Sequence, residues 1–314
     1  MSLTTKIFKR LHALADRHTG LGQAMWHEIA NRTATARQRR APLPAHDALS
    51  TRALEALRRD GLATFHVSEL EGGAALFDAV CREETAILGQ EPDTIERGRA
   101  RLRAGGEGHK EYVLRFVPGS PSGFTFDDPS VCLALHGQIL GVVDAFLGLY
   151  AELRALEFWY TLADRQQTPR QSQLWHRDFE DVALVKVFLY TSDVDETAGP
   201  FSFVLGTHAG ELRWADPDAI ARRLTNRADD RTMERVVPRD RWFTGTGRAG
   251  TIIMAATKGY HKGGFATEKD RRLLHATYLS PWSRDCLLPK PVRGVPATAH
   301  PAIHFAAGDR RAGG

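Results

Sequence analysis

Trp175-His176-Arg177-Asp178, inside the run Gln173-Leu174-Trp175-His176-Arg177-Asp178-Phe179, carries the chemistry around which the fold has to close. The run predicts a strand over 174–179. On a strand, residues two apart leave the same face, so His176 and Asp178 point together. A neutral imidazole beside a carboxylate is two-thirds of a 2-His-1-carboxylate set, which holds Fe(II) on one face and leaves the other positions open. The third ligand must come from a different strand of a closed β structure. Tyr260-His261-Lys262-Gly263-Gly264 offers one, 83 positions after Asp178. It follows a predicted strand at 251–256, and its paired glycines permit a tight turn.

Working outward, strands are also predicted at 62–67, 153–162, 182–191, 201–205 and 272–280. Gly199, Pro200, Gly245, Gly247 and Gly250 punctuate them. The chain before them reads as helical. Ser50 is expected to cap a short helix that stops at Gly61, a second helix covers about 70–88, and a third runs from Pro129 to near Gly148. A further helix is expected between Pro217 and Leu224. The charged, Gly- and Arg-rich segment from Gln90 to Lys110 reads as a loop, and with Arg165–Gln173 it is the expected lid. Helices first and many short strands after give an α+β class, with helices covering a β-sandwich or barrel.

Arg271 and Arg272 open the strand at 272–280. Arg272 shares a face with Leu274, Ala276 and Tyr278; Arg271 shares one with Leu273, His275 and Thr277. The first face is the more apolar and is expected inside, which makes Arg272 the inward arginine and His275 an outward residue. A guanidinium at the base of such a pocket needs an anion, and a carboxylate suits it. The distal carboxylate of 2-oxoglutarate would satisfy it while the keto-acid end chelates the iron. Along 182–191 the aliphatic face (Ala183, Val185, Val187, Leu189) is expected under helices. Lys186, Phe188 and Tyr190 then look inward. An inward Lys186 would meet co-substrate or substrate; the alternative is a lysine snorkelling at the strand end. Gln173 and Trp175, which flank the first ligand, are expected to line the substrate pocket with Tyr190.

His176-x-Asp178, then Asp195-Glu196-Thr197-Ala198-Gly199-Pro200 leading to Gly206-Thr207-His208, then His261 with Arg272 eleven positions later, resemble the phytanoyl-CoA dioxygenase family. The opening stretch Leu54–Val67 looks like that family's first helix and strand, and the resemblance covers roughly 50–281. It implies a double-stranded β-helix (jelly-roll, cupin-like) core, non-haem Fe(II), 2-oxoglutarate and O₂ as cofactors and co-substrates, and hydroxylation of a small molecule with release of succinate and CO₂. It also implies His176, Asp178 and His261 as iron ligands and Arg272 as the co-substrate arginine. Phe188 falls where a tryptophan often lines the co-substrate pocket. Asp178 is a carboxylate, unlike the small residue of the halogenases in this broad class.

The composition agrees with a globular protein and excludes other classes. The chain has 314 residues, 42% hydrophobic and 25% charged, with a net charge of only +4, too little to imply nucleic acid. No apolar run reaches transmembrane length. Three cysteines (Cys81, Cys132, Cys286) form no disulfide framework and fit a reducing, cytoplasmic setting; Cys81 and Cys132 are expected as buried packing residues. Up to Arg40, eight basic residues face two acidic ones. This basic helical arm, 1–45, is expected to pack on the domain or to make a weak surface contact with a membrane or acidic partner. The oxygenase domain then spans 46–285, and a loosely ordered tail 286–314. Arg97, Arg99, Arg101, Arg103, Arg165 and Arg170 point to an anionic or carrier-bound substrate, or are simply solvated. Gly245-x-Gly247-x-x-Gly250 precedes a strand and is a turn, not a dinucleotide fingerprint. Desaturation, epoxidation or cyclisation would use the same cofactors, and a catalytically silent jelly-roll would keep the fold alone.

Overall fold

The computed structural model describes residues 20–43, 47–104, 110–119, 123–209, 227–283 and 291–308. The expected helix between Pro217 and Leu224, the first nineteen residues of the basic arm, and Cys286 lie outside them. Eleven strands are described: β1 Leu62–His66, β2 Val113–Phe116, β3 Phe124–Thr125, β4 Glu152–Thr161, β5 Val185–Tyr190, β6 Phe201–Val204, β7 Trp242–Gly245, β8 Thr251–Ala255, β9 His261–Lys262, β10 Arg271–Leu279 and β11 Val292–Arg293. One sheet has the order β1-β8-β5-β10-β4-β2 and a smaller one β7-β6-β9. An antiparallel bridge between His176 and His261 extends the small sheet by one more segment. From β4 onward the chain alternates: β4 in the large sheet, His176 in the small, β5 in the large, β6 and β7 in the small, β8 in the large, β9 in the small, β10 in the large. That winding makes the core a double-stranded β-helix, and it delivers residues far apart in sequence to one interior.

Both faces of the large sheet are buried. Phe188, Tyr190, Ile253, Ala255 and Leu273 face Phe201 and Phe203 of the small sheet. On the reverse face Val185, Val187, Leu189, Ile252, Met254, Leu274, Ala276 and Tyr278 pack under helical residues such as Leu57, Val131, Ile139 and Val143. Helices therefore cover one side of the β core, as the order of elements predicts. The helix Ala48–Asp60 is capped by Asp47, whose side chain accepts from Ser50 N, and it stops at left-handed Gly61 (φ 78°). Ser50 is thus the donor to the cap and not the cap itself, because Asp47 is the residue with extended backbone.

Three expectations about local structure are corrected. Most of the Gln90–Lys110 segment is the helix Pro92–Arg103, started by its proline, with Leu102 buried against Tyr112 and Leu162. The stretch 291–308 is no loose tail: β11 pairs with β3, and the helix Pro301–Ala306 buries Ala302 and Ala306. Small apolar side chains let that segment lie close to the core, and Phe305 packs on Tyr150 at 5.6 Å. The predicted strand at 174–179 shrinks to bridges at Trp175 and His176, because the chain then turns away toward the large sheet. Cys81 and Cys132 are half-buried free thiols.

Asp181 ties the N-terminal segment to the loop between the first ligand strand and β5. It accepts from Trp26 Nε1 (3.1 Å), Val182 N and Ser280 N (both 2.7 Å). Burial pushes its carboxyl up to about 6, against those hydrogen bonds. A raised acid in the folded state stabilises below its unfolded value, here 3.8, and that contribution is lost as pH rises through about 6. A carboxyl-resolved NMR titration should therefore place Asp181 near 6. Its share of stability should fall by about 2 kcal/mol between pH 4 and pH 7.

Candidate active site

His176 and His261 are cross-strand neighbours, exchanging backbone hydrogen bonds of 2.9 Å in both directions. Asp178 N donates to Thr257 O at 2.9 Å, which holds the carboxylate on the same side. One ligand atom from each of His176, Asp178 and His261 lies within 4.8 Å of the other two. His176 Nε2 is 3.9 Å from Asp178 Oδ1, and His261 Nε2 is 3.4 Å from Oδ2. Among the described residues this is the one His/Cys/Asp/Glu group able to hold a metal ion.

The imidazoles are also oriented. His176 Nδ1 lies 2.8 Å from Leu174 O and His261 Nδ1 lies 3.0 Å from Gly259 O. A carbonyl can only accept, so each Nδ1 carries the hydrogen and each Nε2 presents a lone pair to the shared point. Burial holds both rings below the ordinary histidine value, so they are neutral donors. Burial alone would push Asp178 up. Lys186 first, and then the two imidazoles, outweigh it and hold the carboxyl far below its usual range. Two neutral nitrogens and one carboxylate are the donor set that suits a divalent transition metal.

The expected arginine is corrected. Arg272 turns outward to Glu84 of the helix Gly73–Gln90, with Nη1 to Oε2 at 3.3 Å. Arg271 is the inward one and is buried. Its Nη1 donates to Gly199 O, its Nη2 lies 3.4 Å from Thr161 Oγ1, and its Nε is buried without a partner. No described carboxylate pairs with it. His275, expected outside, shares Arg271's face and is buried, stacked 4.1 Å from Trp159. The apolarity rule misleads on β10 because the face under the helices is as dry as the interior. A Cβ at Gly263, two residues past His261, would stand only 3.8 Å from Arg271 Nη2, so the guanidinium lies beside the turn that carries the second imidazole.

Lys186 faces the barrel with Phe188 and Tyr190, and its Nζ lies 2.7 Å from Asp178 Oδ2. Phe188 packs 5.4 Å from His275 and 4.9 Å from Phe201. Tyr190 Oη donates to Gly245 O at 2.7 Å, so its hydroxyl serves the sheets and not a pocket. Trp175 leaves the face opposite His176. It packs on Trp242 at 4.9 Å and donates to Asp230 Oδ1 at 2.7 Å. Gln173 is on that outer side too, where it borders a cleft of about 530 Å³ with Ser202, Asp230 and Lys262. Strand alternation places Trp175 opposite His176, and Gln173 closes the 3-10 turn Gln171–Gln173 just before it.

Of the six arginines of the expected lids, four meet a carboxylate: Arg97 with Asp93, Arg99 with Asp270 (2.6 Å), Arg165 with Glu268 and Arg170 with Glu111 (4.0 Å). Positive charge near the triad comes from elsewhere. Lys110 is held below its ordinary value by burial and then by Arg115, Lys186 and Arg227. Burial also lowers Arg227, against the pull of Asp178. Arg227 precedes Ala228, the bridge partner of Trp175. Apart from Lys186, which strand alternation sends inward, no spacing in the sequence announces these cations, because they come from separate segments.

No family model matches the chain, and no curated protein matches it. Solved structures do. The non-heme alpha-ketoglutarate-dependent epimerase SnoN from nogalamycin biosynthesis is 20% identical over 73% of this chain and 80% of its own, with a TM-score of 0.43. EctD from S. alaskensis, with 2-oxoglutarate and 5-hydroxyectoine, is 16% identical over 75% and 77%, TM-score 0.47. HygX from Streptomyces hygroscopicus, with nickel and 2-oxoglutarate bound, is 17% identical over 73% and 86%, TM-score 0.42.

Proposed function

We propose that the protein is a non-haem Fe(II)- and 2-oxoglutarate-dependent oxygenase of the phytanoyl-CoA dioxygenase type, acting in the cytoplasm on a small molecule. The observation that carries this reading is the convergence of His176, Asp178 and His261, with both imidazoles fixed in the tautomer that presents Nε2. Arg271 is the second support. A buried guanidinium with no carboxylate partner among the described residues fits one end of a dicarboxylate. In this reading Arg271 replaces Arg272 as the residue that binds the distal carboxylate.

The chain's own residues divide the work. His176, Asp178 and His261 would hold the ion. Arg271 would anchor the co-substrate, while Phe188, Phe201 and the Trp159–His275 stack keep water from the interior. When bound, iron and 2-oxoglutarate supply the oxidation of an unactivated C–H bond by O₂, with succinate and CO₂ as co-products. Lys110 and Arg227, whose charges act on Asp178, favour an anionic substrate. Hydroxylation is the outcome we propose; product analysis separates it from desaturation, epoxidation or cyclisation, which use the same ligands.

Anaerobic addition of Fe(II) and 2-oxoglutarate tests the reading. A weak visible absorption at roughly 500 nm is expected once both are present and not with either alone. Protein that binds neither, or that shows no such band at saturation, is not this kind of oxygenase.

A further inference from the structure

Lys186 makes the shortest side-chain contact to the triad. Its Nζ lies 2.7 Å from Asp178 Oδ2 and 3.2 Å from Glu180 Oε1. Cross-strand pairing with Thr277 on one side and Ala255 on the other fixes its place on β5. Glu180 is half-buried, so part of the ammonium's charge is met at the rim and the rest falls on Asp178. Each carboxylate oxygen also faces one imidazole: Oδ1 lies 3.9 Å from His176 Nε2 and Oδ2 lies 3.4 Å from His261 Nε2.

The ammonium acts on the site in two opposite senses. Bound to Oδ2, it holds the carboxylate in one orientation beside the two imidazoles. The same ammonium repels any second cation that shares the carboxylate. That repulsion scales with the charge of the ion, so a divalent ion feels it twice as strongly as a monovalent one. In this buried site salt screens it little. Alignment is worth about one hydrogen bond, and the repulsion outweighs it.

We propose, resting on the metal reading above, that Lys186 is a positioning residue: its ammonium, held against Asp178, orients the carboxylate and sets the affinity for a divalent ion below that of the triad alone. The test is a Co(II) titration against a chromophoric chelator in mildly alkaline buffer, without co-substrate, on wild type and Lys186→Met. Lys186→Met should bind Co(II) about tenfold more tightly. A damaged fold can only weaken the site, so a gain cannot come from a structural defect. Unchanged or weaker binding in Lys186→Met overturns the proposal. If that variant does not fold, Lys186→Gln, which keeps a polar contact without the charge, carries the same expectation. Failure of the wild type to bind Co(II) at all would instead remove the metal reading itself.

Discussion

His176→Ala should abolish metal retention and, with it, any substrate-dependent formation of succinate from 2-oxoglutarate. The remaining pair, Asp178 and His261, leaves two donors, and one of them is already shared with Lys186. Loss of an outer partner of a metal ligand costs about 10–100-fold, so loss of a ligand should exceed about 100-fold in affinity or rate. The fold should survive, because the bridge to His261 is made by backbone atoms that alanine keeps. Metal analysis after gel filtration, with thermal unfolding as the control, gives the answer. Wild-type metal content in the variant would remove His176 from the site.

Arg271→Leu and Arg272→Leu should separate co-substrate binding from stability. Truncating one partner of a buried charged pair costs about 2–5 kcal/mol, so Arg271→Leu should weaken 2-oxoglutarate by about 3 kcal/mol, or roughly 100-fold. Arg272→Leu should leave that affinity within about threefold. Its cost falls on Glu84, buried and bound also to Thr191 at 2.8 Å. Burial pushes Glu84 up, and Arg272 is the main group opposing that. A half-exposed arginine lessens the penalty, so about 2 kcal/mol of stability should be lost. Titration calorimetry with the metal-loaded protein and urea unfolding measure the two effects. The reverse result would restore Arg272 to the pocket.

Much of the candidate site is legible along the chain. Strand periodicity is local, so His176 and Asp178 can be put on one face without coordinates. The need for a third donor then directs attention to His261. The same periodicity carries Trp175 to the outer side, where Asp230 and Trp242 hold it, although adjacency to His176 suggests the pocket. On β5 the alternation and the aliphatic face suffice to send Lys186 inward. On β10 alternation again tells which residues travel together and not which way they point.

The sequence by itself determined the alternation of faces, the left-handed glycine stop at Gly61, the helix-then-strand order and the residues able to bind a metal. These depend on neighbours within a few positions. Tertiary structure alone decided that Arg271 and not Arg272 faces inward, that Asp178 carries an ammonium, and that the last stretch packs. A strand buried on both sides has no dry face to favour, so its orientation is settled by the partner each charge meets. For Arg272 that partner, Glu84, lies 188 positions away, beyond the reach of any local pattern.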